Sequence, residues 1–270
     1  MNLFNSKKEK CREYDNEDEE EESFVETFPH IFDRNDILIC ATHGKIYAIH
    51  KRDGSRLWRA KFPTGGLGGI VSLFVTDTDR LIVGSRGRTA SMDLMTGKTL
   101  WVNKMPGFGI DEVSIISTPN LLSPNLLPPY QKEETEESYP DYDMLTNIKP
   151  IVFGCARGKV MAIDSETGET LWTYNCVGGW YNIPVIIVEP PLRNQDFLVY
   201  VGSGKNVYCL KASTGEVIWN VRVSNSNFGL NYMTLATPWS SKLAAETHSA
   251  FSQNPSAQKR DHQRDKEKSS

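Results

Sequence analysis

Any chemistry in this chain of 270 residues would have to come from its cysteines, histidines and carboxylates. The five cysteines, Cys11, Cys40, Cys155, Cys176 and Cys209, are scattered. They form neither a zinc pattern nor the Cys-x-x-Cys-His of haem attachment. Cys40, Cys155 and Cys209 sit in apolar stretches and read as reduced core residues. His43 and His50 are an isolated pair, which reads as structural or solvated rather than as a ligand set. Asp93 and Asp164 each stand three residues before a Thr-Gly pair, where a carboxylate accepts the backbone hydrogen bonds of a turn. The glycine-rich run 63–69 is followed by neither a helix nor a Lys-Ser/Thr pair, so it reads as a connection rather than a phosphate cradle. There is no nucleophile elbow and no basic stripe with interleaved aromatics. No residue is nominated as catalytic, cofactor-binding or metal-ligating. Candidates for contact with a partner are the aromatics beside glycines, Phe108, Trp180 and Tyr181, with the acidic segment 1–26 as a docking arm for a basic partner and the insert 123–143 as a binding loop the lesser alternatives.

The elements that would carry these residues are written in a repeat. Residues 162–172 read Ala-Ile-Asp-Ser-Glu-Thr-Gly-Glu-Thr-Leu-Trp, and 48–58, 91–101 and 209–219 say nearly the same. The repeats end on Trp58, Trp101, Trp172 and Trp219. Their spacing fits the roughly 40–50 residues of a four-stranded propeller blade once an acidic, proline-rich insert at 123–143 is set aside. Within each repeat, alternating apolar residues lead into a turn at Gly54, Gly97, Gly168 or Gly215, and a strand with the Trp follows. Apolar stretches at 36–41, 80–84, 151–155 and 197–201 precede the motifs, and others at 69–75, 113–118, 183–188 and 232–237 follow them. Four strands per unit result, except that the first unit lacks its own first strand. A small sheet cannot bury both faces alone, so the units must stack, and the four tryptophans read as structural contacts in that stacking.

The pattern resembles the PQQ-like repeat of the quinoprotein alcohol dehydrogenase-like β-propellers. The family's Ala-x-Asp-x-x-Thr-Gly-x-x-x-Trp docking motif is matched in full by Ala162, Asp164, Thr167, Gly168 and Trp172. The second repeat keeps Asp93, Thr96, Gly97 and Trp101 and departs at Ser91. The first keeps Ala48, Gly54 and Trp58, with His50 and Asp53 at the Asp and Thr places. The fourth keeps Thr214, Gly215 and Trp219, with Cys209 and Lys211 for Ala and Asp. The resemblance implies an all-β propeller of about four blades, in which each Trp docks on a neighbouring blade. WD40 repeats have a similar period, but their Trp-Asp ending is missing. Enzymes of the family hold a quinone and calcium at the propeller centre, and many carry a disulfide between adjacent cysteines, a pair this chain lacks. Members without the cofactor, such as the bacterial outer-membrane assembly propeller, serve as interaction platforms.

The expected organisation is an acidic disordered tail at 1–26, a propeller at 27–239 and a polar disordered tail at 240–270. Residues 232–237 look like the first strand of a further blade. They either pair with the first blade and close a four-bladed ring, or the propeller is incomplete and its open edges need cover. Net charge is −4 and no apolar run approaches a membrane span. No signal-peptide pattern opens the chain, so a cytoplasmic home, or a nuclear one, is the default. The leading expectation for function is a non-enzymatic scaffold, without cofactor or nucleic acid, that engages another protein or a second copy of itself. The alternatives are a quinoprotein-like oxidoreductase or its accessory domain, and a truncated propeller without independent activity.

Overall fold

The computed structural model describes residues 32–42, 44–62, 71–110, 112–118, 149–177, 183–189, 196–225 and 233–237. The expected tails and insert, the glycine-rich run, His43, Trp180 and Tyr181 lie outside the described residues.

Among the described residues, apolar alternation interrupted by glycine turns produces fifteen strands and a single short 3-10 turn at Arg34–Asp36. The first blade has three strands, β1 (Ile37–Thr42), β2 (Lys45–His50) and β3 (Arg56–Lys61). The second has four: β4 (Ser72–Val75), β5 (Arg80–Ser85), β6 (Arg88–Asp93) and β7 (Thr99–Asn103). The third comprises β8 (Ser114–Ser117), β9 (Ile151–Ala156), β10 (Lys159–Asp164) and β11 (Thr170–Asn175). The fourth comprises β12 (Val185–Glu189), β13 (Leu198–Ser203), β14 (Asn206–Lys211) and β15 (Val217–Arg222). Every pairing is antiparallel between neighbours in sequence.

Register repeats from blade to blade. Trp101 stands across from Ser91, which stands across from Ile82. The same row is Trp58–Ala48–Ile39 in the first blade, Trp172–Ala162–Phe153 in the third and Trp219–Cys209–Tyr200 in the fourth. Beside each Trp row the ladder slips by one residue, between 48 and 49, 91 and 92, 162 and 163, and 209 and 210. Such a bulge increases local twist and re-aims the strand that follows.

The blades stack in chain order, with β8 packed beside β4 on one side and β12 on the other. The apolar core divides into three clusters, one for each junction. Ile46, Trp58, Leu81 and Met92 fill the first, Ile82, Trp101, Phe108 and Met161 the second, and Phe153, Val199, Tyr208 and Leu210 the third. Period-two alternation led us to expect strands buried on one face. In the middle of the stack this is corrected: β9 is buried at all six positions, because its blade has a neighbour on each side. Toward the ends burial is lost: β1 keeps one exposed face, and β15 is half-buried at Val217 and exposed from Ile218 to Arg222.

Residues 233–237 belong to no sheet, and β1 has β2 as its sole sheet neighbour. The expected alternative of a ring closed by pairing these two segments is therefore not the arrangement found, and the stack is open.

Because Trp101 plugs a junction while its neighbour Leu100 faces outward, the two should respond differently to truncation. Trp101→Ala is expected to cost about 3–5 kcal/mol, as large aromatic deletions in cores do. Leu100→Ala should stay within about 0.5–1 kcal/mol. Urea unfolding of the two variants checks this, and equal midpoints would show that the junctions are not where stability resides.

Candidate interaction face

The recurring contact between blades has the same geometry at all three junctions. The Trp58 indole N–H donates to the Leu94 carbonyl at 3.0 Å, Trp101 to Ser165 at 2.8 Å and Trp172 to Ala212 at 2.8 Å. Each acceptor lies three residues before the turn glycine of the following blade. Those glycines have φ of +69° at Gly97, +76° at Gly168 and +72° at Gly215. A side chain there would be strained, and it would also collide: a Cβ would fall 2.6 Å from the Trp58 ring at Gly97, 2.6 Å from Trp101 at Gly168 and 2.7 Å from Trp172 at Gly215. Glycine is thus required twice over, for backbone conformation and for the seat of the indole.

The turns are held by their own polar residues. Asp93 accepts from the backbone N–H groups of Met95 and Thr96, and Asp164 from those of Glu166 and Thr167. Burial pushes the Asp164 carboxyl up, but the hydrogen bonds from Thr167 and Glu166 outweigh it and the net shift is down. In the first blade Asp53 takes this role. The Ser55 backbone N–H and hydroxyl, with His50 at 3.1 Å, hold its carboxyl at about 2. These carboxylates are occupied in turn-making, as the sequence suggested for Asp93 and Asp164. Ala48 and Ala162 are buried beneath the indoles, while Thr96, Thr167 and Thr214 lie in the turns themselves.

Several sequence expectations need correction. Phe108 is fully buried at the second junction, with the Lys159 ammonium 5.9 Å above its ring, so it packs and offers no partner surface. Cys40 is exposed, because it lies on the face of the first blade that points away from the second. Cys155, Cys176 and Cys209 are buried. Burial pushes the Cys155 thiol well up and Cys176 to about 12, which leaves both protonated and poor nucleophiles near neutral pH. Trp219 is the exception among the tryptophans. It leans on Tyr200 of its own blade, 6.0 Å between ring centres, and stays 43% exposed, since no described blade follows it.

Trp219 marks an open apolar face on the fourth blade. Val221 is 47% exposed and Val223 56%. At the place of Val223, four residues past the Trp, the earlier blades bury Phe62, Met105 and Cys176. Sequence reading missed this face, although the alternation Trp219, Val221, Val223 was visible. It also missed Asn103, whose side-chain N–H donates to the Gly168 carbonyl at 2.8 Å and to the Thr170 hydroxyl at 3.0 Å.

The quinone and calcium implied by the resemblance find no fitting donor set among the described residues. The innermost strands β4, β8 and β12 carry serine and apolar residues with Glu189 as their one carboxylate. Among the described residues no three His, Cys, Asp or Glu side chains cluster to hold a metal ion, and no helix is long and apolar enough to cross a membrane.

A stack of one three-stranded and three four-stranded antiparallel sheets, joined by Trp-on-glycine contacts, defines a β-propeller of PQQ-like blades. The chain belongs to the family described as outer membrane protein assembly factor BamB, whose model matches residues 42–121 and 156–237. No curated protein matches the sequence. Similar solved structures include BamB from Moraxella catarrhalis, at 17% identity over 69% of this chain and 46% of that one, TM-score 0.42. A europium-containing methanol dehydrogenase matches at 16% identity over 69% of this chain and 40% of that one, TM-score 0.44. Sqt1 from Saccharomyces cerevisiae matches at 11% identity over 70% and 48%, TM-score 0.47. The chain spans less than half the length of each.

If the indole occupies the space a side chain would need, the two residues are energetically coupled. Gly168→Ala should destabilise by about 2–4 kcal/mol, combining the left-handed backbone penalty with overpacking. In the background of Trp101→Ala the same change should cost about 1–3 kcal/mol less. A double-mutant cycle by urea unfolding measures this, and strict additivity would rule out the seat.

Proposed function

We propose that this protein is a non-enzymatic scaffold that holds polypeptide partners through the open end of its blade stack. The observation that carries this reading is the exposure of Trp219, Val221 and Val223 at positions that the other blades bury or half-bury. Contiguous exposed apolar surface of this kind marks interaction sites, and Trp is the residue type most enriched among interface anchors. Membership in a family described as an assembly factor supports the same reading.

The test places a photo-reactive amino acid at position 221, with the exposed position 166 on the turn side as control. Position 221 is expected to cross-link to polypeptide in native extract and position 166 is not. Equal labelling at both positions, or none at 221, would overturn the scaffold reading.

The competing oxidoreductase reading has its own test. Calorimetric titration with calcium and pyrroloquinoline quinone is expected to give no binding heat. Micromolar affinity accompanied by dye-linked alcohol oxidation would replace the scaffold with an enzyme.

A further inference from the structure

The first blade carries the counterpart of what the fourth leaves unsatisfied. Its turn glycine, Gly54, has the same left-handed conformation as the other three, with φ of +75°. Gly97, Gly168 and Gly215 each have an indole pressed against them, yet a Cβ at Gly54 would meet nothing within 4 Å. Among the described residues this is an empty seat. Three residues before it stands Lys51, in the place of the acceptors Leu94, Ser165 and Ala212. At the other end of the stack, Trp219 has the ring but no seat, and its indole N–H has no acceptor among the described residues.

The faces around seat and ring match in the same way. Leu38 pairs with Ile49 as Leu81 pairs with Met92, Val152 with Ile163 and Val199 with Leu210. Those three partners of the later blades, Leu81, Val152 and Val199, are fully buried against the preceding blade, whereas Leu38 is 52% exposed. Each end of the stack therefore displays one half of an interface that the molecule builds three times internally.

The strand inventory gives a second, independent correspondence. By register, β1 matches β5, β9 and β13, so the first blade lacks the innermost strand that β4, β8 and β12 supply elsewhere. Residues 233–237 alternate between half-buried and exposed, as a strand does, without belonging to a sheet. Met233 lies against Gly202, where a Cβ would fall 2.5 Å from its sulfur. The corresponding glycine of the second blade, Gly84, is covered by Val113 and Ile115, residues that lead into and form the innermost strand of the third blade. Residues 233–237 thus occupy the place of a following blade's innermost strand, and the one blade short of that strand is the first.

We infer that two copies of this chain join head to tail into one ring. Trp219 of each copy seats on Gly54 of the other and donates to the Lys51 carbonyl, while residues 233–237 add to the β1 edge. The interface is heterologous, so it must either close or propagate. Four blades per copy make eight on closure, within the usual four to eight of propellers, whereas three copies would exceed that range. The inference rests on the scaffold reading and names the partner as a second copy.

Light scattering on the size-excluded full chain tests it. The expected mass is about twice 30.4 kDa. Trp219→Glu, which breaks the ring side, and Leu38→Glu, which breaks the seat side, should each weaken dimerisation at least 100-fold and elute as monomers. Both sites are exposed in the single chain, and unchanged circular dichroism would confirm folding. Mixing the two variants pairs one intact seat with one intact ring, so a heterodimer should return. A monomeric parent chain, a ladder of larger species, or a dimer indifferent to both substitutions would each overturn the proposal. A monomer that still cross-links a different polypeptide from position 221 would overturn self-assembly alone and leave the scaffold standing.

Discussion

An indole ring laid on a glycine turn joins each blade to the next, and the rest of the architecture depends on that contact. The ring buries its area against the turn while its N–H satisfies a carbonyl that the turn leaves free. Both requirements must be met at once: a left-handed residue without a side chain, and a Trp aimed at it from a neighbouring sheet. The bulge beside each Trp row belongs to the same device, because it lets the outer strand twist without disturbing the two inner pairings.

Since the apolar cores lie between sheets, burial falls off from the middle of the stack to its ends. β9 is covered on both faces, β1 on one, and β15 is exposed at all but its first position. The surface left over at the two ends has the composition of an interior, and it differs from the rim, where exposed residues such as Leu100 and Leu171 recur singly from blade to blade. The fold thereby separates a circumference of single exposed apolar residues from two continuous apolar end faces. Among the described residues no three His, Cys, Asp or Glu side chains gather to hold a metal ion, and burial pushes the Cys155 and Cys176 thiols up.

The sequence made the repeat, the strand order and the roles of Asp93 and Asp164 legible, because local patterns determine them: period-two alternation, Thr-Gly turns and a carboxylate four residues before the turn glycine. It also showed that the first blade is a strand short. It could not separate Trp219 from Trp58, Trp101 and Trp172, since the motif is local and burial depends on whether a following blade exists. Cys40 and Phe108 were misplaced for the same reason. Cys40 looks like a core residue in its strand but faces away from the stack, and Phe108 looks like a loop aromatic but fills a junction. The open faces at Leu38 and Val223 become visible only when equivalent positions are compared across blades.

Placing the cores between blades also ties folding to the order of synthesis. When Trp58 leaves the ribosome, the turn that will receive it has not been made, and Gly97 arrives only with the next blade. Trp101 waits in the same way for Gly168, and Trp172 for Gly215. The nascent chain must therefore run one blade behind translation, always carrying one unfinished apolar face. Each face is covered by the blade that follows, and among the described residues none follows the fourth.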